Sequence, residues 1–176
     1  MSKIKAYTSW QPLEEVIVGS VYTPDYFDFI EDANTRDQLG QILHETNEDL
    51  NNLQKLIEEY GARVMRPNLP NKDQFQLQQV NNTVVTPPPL TPRDYFAVIG
   101  EKFYATGGPN AGFVDVIKQI DPKNIVLDLQ LGCISTAEIT RVGKDLFWDY
   151  NTNWFRPGEV EKYTNTRLVS ALERLH

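Results

Sequence analysis

Residues Ser9 to Gly19 read SWQPLEEVIVG. The run opens on a tryptophan and a proline, passes through two glutamates and closes on Val-Ile-Val-Gly. Val16 and Val18 share one face of an extended chain and Ile17 takes the other, because side chains alternate along a strand. Apolar residues on both faces predict a strand over Glu14 to Gly19 that is covered on both sides, as in an α/β architecture. The residues beyond Gly19 suit that architecture. Thr35 and Gln38 make a T-x-x-Q capping box. Leu39, Ile42, Leu43, Leu50, Leu53, Leu56, Ile57 and Tyr60 then recur at helical spacing as one apolar stripe, and Gly61 stands where a glycine cap ends a helix. A second strand is expected over Ala62 to Arg66, ending at Pro67. The order is strand, long connection, helix, strand.

Outward from this unit, Asn68 to Pro92 is rich in Asn, Gln and Pro and contains Pro87-Pro88-Pro89. It reads as irregular chain, neither helix nor central strand, because proline lacks the backbone donor; within it, Thr83 to Val85 suits a short strand. Tyr95 to Ile99 and Lys102 to Thr106 read as a hairpin turning at Gly100-Glu101. A weak helix fits Ala111 to Gln119, stopped by Pro122. Strands are expected at Ile125 to Leu129 and Lys144 to Trp148, with Ala137 to Val142 ambiguous between helix and strand. Pro157 opens a last helix, at the position where proline is tolerated.

The length of 176 residues is that of one domain, 1–176. The apolar fraction of 40% is ordinary for a folded protein. No apolar run approaches the roughly 18–20 residues that span a bilayer, and the first ten residues hold no apolar signal core. A cytoplasmic protein without membrane contact is the expectation. A net charge of −7 disfavours a nucleic-acid partner. With a single cysteine, Cys133, and two histidines, His44 and His176, neither a thiolate cluster nor a zinc site is expected, and no cofactor. Cys133 has no basic neighbour in sequence to activate it and reads as a small core residue. His44 reads as a helix-surface or boundary residue. Gly107-Gly108-Pro109-Asn110 lacks the phosphate-loop pattern, and Trp148, Trp154 and Phe155 read as packing aromatics.

Four stretches resemble the amidinotransferase family. SWQPLEEVIVG is similar to that family's entry strand, Trp-x-Pro-Leu-Glu-Glu-Val-Ile-Val-Gly. LIEEYGARVMRP, Leu56 to Pro67, is similar to its next helix and strand. Pro92 to Gly100, PRDYFAVIG, resembles a Pro-Arg-Asp segment followed by a Val-Ile-Gly strand. Ala137 to Phe147, AEITRVGKDLF, resembles a segment with the pattern Asp-Ala-Ala-Asp-Phe-x-Arg-x-Gly-(Lys/Arg)-Asp, and the closing ALERLH suits the helix after it. The resemblance implies the pentein fold, an αβ-propeller of five modules, of which this chain would supply about the first half, roughly two to three αβ modules.

By the same resemblance, Asp94 is the acid that holds a guanidinium, with Arg93 beside it. Glu138 stands where the family has an aspartate that pairs with the catalytic histidine. The histidine and the nucleophilic cysteine belong to the family's C-terminal half. The implied function is transfer of an amidino group from arginine to an amine, by a half enzyme whose partner supplies His and Cys; the alternative is a non-catalytic module binding a guanidine compound or another protein. Half a ring ends in an uncovered module face, so a homo-oligomer or a tight complex with a C-terminal half polypeptide is expected.

Overall fold

The structure is a computed structural model, and it describes residues 4–8, 10–81, 87–105, 111–127, 139–142 and 145–148. The entry strand is β1, Glu15–Ile17; the long helix is α1, Ala33–Glu59; the second strand is β2, Arg63–Met65. β2 returns parallel to β1, with Glu15 opposite Arg63, Val16 opposite Val64 and Ile17 opposite Met65. A helical crossover is what a parallel pair requires. All three β1 residues are half-buried, which fits a strand partly covered on both faces.

Two details of α1 differ from expectation. The helix starts earlier, and its cap is Asp32, whose carboxylate accepts from the Thr35 N–H at 2.7 Å. Thr35 lies inside the first turn. The apolar stripe is also wider than the surface it meets. Leu43 is buried, and Leu39 and Leu50 pack on the same cluster, whereas Ile42, Leu53, Leu56 and Tyr60 stay exposed. A short 3-10 turn, Pro24–Phe27, and β2 are what pack closely against the helix, and they cover one side of it. Gly61 ends α1 as expected, at φ +87°, and donates to Glu58 O at 2.9 Å.

The proline-rich stretch holds a ten-residue helix, α2, Lys72–Asn81, contrary to the reading of Asn68 to Pro92 as irregular chain. Asn71 starts it, its side-chain oxygen accepting from Gln74 N–H at 3.1 Å and its carbonyl from Phe75 N–H at 2.9 Å. Phe75, 1% exposed, joins Tyr22, Tyr26 and Phe27 in an aromatic cluster, its ring centroid 4.5 Å from that of Tyr22. Burying such a ring contributes up to about 3 kcal/mol, which offsets the weak helical pattern around it.

A one-turn helix, α3, Pro92–Tyr95, leads into β3, Phe96–Ile99, which pairs antiparallel with β4, Lys102–Ala105. Gly100 turns the hairpin at φ +59°, a conformation glycine adopts without a Cβ penalty. The sequence from Ala111 forms a 3-10 turn, Ala111–Phe113, and a single turn α4, Val114–Ile117, which is less than the continuous helix expected. β5, Ile125–Leu127, adds parallel to β4 and gives the sheet order β3-β4-β5. Phe96, Phe103, Ala105, Phe113 and Ile120 form its core, with Ile4 and Ile17 packed on it. The ambiguous stretch contributes a strand, β6, Ile139–Val142, antiparallel to β7, Asp145–Trp148.

The expected strand at Thr83 to Val85, the glycine-rich stretch 107–110, Cys133, Glu138, Trp154, Phe155, the last helix and His176 lie outside the described residues. Among the described residues, no helix is long and apolar enough to cross a membrane, and no group of three His, Cys, Asp or Glu residues is placed to hold a metal ion.

Candidate functional site

The carboxyl ends of β1 and β2 are knitted to the proline segment by backbone contacts. Ser20 N–H donates to Pro89 O at 3.0 Å, and the Ser20 hydroxyl donates to Pro67 O at 2.8 Å. Asn68 N–H donates to Gly112 O at 3.0 Å. Both glycines here are required by close approach. A Cβ on Gly19 would overlap the Leu90 carbonyl group, and one on Gly112 would overlap Asn68 O and stand 2.8 Å from Pro89 Cγ. Pro89 is fully buried in this seam. Crevices beyond the carboxyl ends of parallel strands are where open α/β sheets place ligand sites.

From the seam the chain runs through Leu90 and Thr91 into α3. Pro92 takes a first-turn position, where its missing N–H costs nothing. Asp94 N–H donates to Thr91 O at 3.1 Å, and Phe96 N–H closes the turn on Pro92 O. Arg93 and Asp94 are therefore presented from a fixed turn, both exposed. Glu138, the second expected carboxylate, lies outside the described residues. His44 is exposed on α1, as expected of a surface residue.

Beside α3 lies a cavity of about 470 Å³. Its walls include Ile17 and Met65 from the β1–β2 pair, Phe96 and Phe103 from β3 and β4, Ile120 from the stretch after α4, and Ile4 from the N-terminal segment. Its polar lining comprises Lys5, Thr8, Gln11, Glu14, Glu15 and Arg93. Asp94 is not among the lining residues. The N-terminal segment is held over the cavity by a two-way backbone bridge, Ala6 N–H to Gly100 O at 2.8 Å and Gly100 N–H to Ala6 O at 2.9 Å. Tyr7 OH donates to Glu101 at 3.1 Å; that bond, with desolvation, holds the phenol above its ordinary pKa. Gln11 ties the segment back by accepting from the N–H groups of Tyr7 and Thr8.

Glu15 is engaged across the β1–β2 pair, its carboxylate 2.9 Å from Arg63 Nη1. Glu14 uses its backbone carbonyl to accept from Arg63 N–H at 2.8 Å, while its carboxylate makes no ion pair or hydrogen bond among the described residues. Thr8 Oγ1 is buried without a hydrogen-bond partner. The two glutamates were legible in the sequence as a strand start only; adjacent acids opening an apolar strand were the signal that this end of β1 meets a polar opening.

No protein-family model matches the chain, and no curated protein does. Among solved structures it is similar to the inosamine-phosphate amidinotransferase StrB1 from Streptomyces griseus, with TM-score 0.53 and 18% sequence identity over 89% of this chain and 60% of that one. The two share a fold at this distance, and the chain spans about 60% of the length of that enzyme.

Proposed function

We propose that this chain serves amidino-group chemistry as part of a pentein-type propeller, holding the guanidinium of arginine or a related compound at Asp94. The observation that carries the reading is the fold shared with an amidinotransferase; in this chain the Pro-Arg-Asp stretch forms a one-turn helix that leaves Asp94 exposed to solvent. A guanidinium is a planar fork of N–H donors, best held by a carboxylate in bidentate geometry. Transfer further needs a thiolate that takes the amidino group covalently and an acid/base that moves protons between the leaving and incoming amines. We assign those two groups to a second polypeptide, and Glu138 to pairing with the histidine.

Calorimetric titration with arginine tests the reading. Saturable binding is expected, weakened at least about tenfold by Asp94→Asn, with no ornithine formed from arginine and glycine by this chain alone. Turnover by the isolated chain would overturn the divided site, and arginine binding indifferent to Asp94→Asn would overturn the assignment of Asp94. Binding that stays without turnover when a C-terminal half is added would leave the non-catalytic, guanidine-binding module as the function.

A further inference from the structure

The cavity beside α3 has a lining that guanidinium binding at Asp94 does not use. Its walls are aliphatic and aromatic, and its polar lining carries both signs of charge. We infer that it binds a small zwitterion with an apolar body, an amino acid whose side chain is aryl or long alkyl.

Three observations converge on that class. The volume of about 470 Å³ lies within the range of small-molecule sites, and it is far more than glycine would fill. Ile17, Phe96, Phe103 and Ile120 offer a wholly polar molecule nothing in exchange for its lost hydration, while each methylene buried against them adds roughly fourfold in affinity. The charges select the head group. Arg63 already answers Glu15, and Arg93, a cation of the lining, has an interaction of its own. The Glu14 carboxylate has no such partner among the described residues, and Lys5, also exposed, belongs to the same lining. A singly charged ligand answers only one of Lys5 and Glu14, whereas an ammonium and a carboxylate on one carbon answer both. The third observation is Thr8 Oγ1, a lining hydroxyl buried without a partner. Buried hydroxyls are seldom left so, and a ligand carboxylate is an acceptor for it.

The experiment is calorimetry on the full chain with four probes: phenylalanine, phenethylamine, 3-phenylpropionate and glycine. Phenylalanine is expected to saturate the site at least tenfold more tightly than either singly charged analogue, and glycine to give no saturable heat. Glu14→Gln should weaken phenylalanine about tenfold and leave 3-phenylpropionate unchanged, and Lys5→Gln should weaken both while sparing phenethylamine. Both side chains are exposed, and an unchanged circular dichroism spectrum checks that the variants fold. Glycine binding as well as phenylalanine would refute the apolar body. Either analogue matching phenylalanine would refute the zwitterionic head, and no saturable heat from any aryl probe would refute the site. None of the probes carries a guanidinium, so this inference and the arginine site at Asp94 can fail separately.

Discussion

The backbone of Gly19 is pressed against the carbonyl group of Leu90, so closely that a Cβ on Gly19 would overlap that carbonyl and stand 2.8 Å from Leu90 Cα. Both parties are main chain, so neither can rotate aside. Gly19→Ala must push the 87–91 segment off the end of β1 and lose the bond from Ser20 N–H to Pro89 O. The expected cost is about 3 kcal/mol, the upper end for overpacking, read as a lower urea midpoint. Leu90 leads directly into the turn that carries Asp94, so arginine binding should weaken in the same variant. Unchanged stability would show that the two backbones are not in this contact.

Gly40 is the contrasting case. It lies inside α1, and a Cβ there would meet Pro24 Cβ at 3.7 Å, an ordinary contact. Gly40→Ala therefore removes unfolded-state entropy without a clash and should stabilise the protein by about 1 kcal/mol, measured as a raised thermal midpoint. A loss instead would mean that Pro24 and the 3-10 turn it begins sit closer to the helix than 3.7 Å allows.

The βαβ unit and the β3–β4 hairpin were legible in the sequence because their signals are local: apolar alternation, a helical period, and Gly61 and Gly100 at turns that need positive φ. α2 was not, because the prolines at 67, 70, 87, 88, 89 and 92 bracket the stretch without entering it, and Phe75 is the one aromatic that anchors it in the core. The cap of α1 was misplaced by three residues, since Asp32 and Thr35 are both good capping residues and only the chain's entry angle separates them. Of the site, the strand after Asp94 followed from its apolar run, but the one-turn helix Pro92–Tyr95 that carries Asp94 did not, and the strand begins at Phe96 rather than Tyr95. The cavity was not legible either, because it is assembled from segments as far apart as Ile4 and Ile120, and no local pattern reports such a meeting.

Tyr22 is 1% exposed, and burial first, then the neighbouring Tyr26, pushes its phenol up to about 12. An unfolded tyrosine ionises near about 10. The folded state therefore favours the neutral phenol: the contribution is complete below the unfolded value and is lost as pH climbs from there through the folded one. Tyr22→Phe removes this dependence. At pH 7 it should cost about 1 kcal/mol for the lost hydrogen-bonding hydroxyl, while between roughly pH 10 and 12 its stability should fall less steeply than that of the parent chain. Urea midpoints at pH 8 and pH 11 check it; parallel decline in the two proteins would mean that the Tyr22 phenol ionises in the folded state as readily as in water.

At the acid end the corresponding group is Asp32. Its carboxyl is held below the ordinary aspartate value, first by the Thr35 side chain and then by the Thr35 backbone N–H, which donates to it at 2.7 Å. A depressed carboxyl stabilises the fold above the unfolded value of about 3.9 and ceases to do so as pH falls through the lower folded value. Asparagine keeps an oxygen that can accept from Thr35 but does not titrate, so Asp32→Asn should preserve the cap and flatten the decline in thermal midpoint below about pH 5. Asp32→Ala removes the acceptor and should lower the midpoint already at pH 7. Asp25, Asp115 and Asp121 are likewise held low by their partners, but they titrate alike in the parent and both variants, so the difference between the melting curves isolates Asp32. If the parent and Asp32→Asn lose stability in parallel down to pH 3, the cap draws nothing from the carboxylate charge, and the hydrogen bond from Thr35 alone fixes where α1 begins.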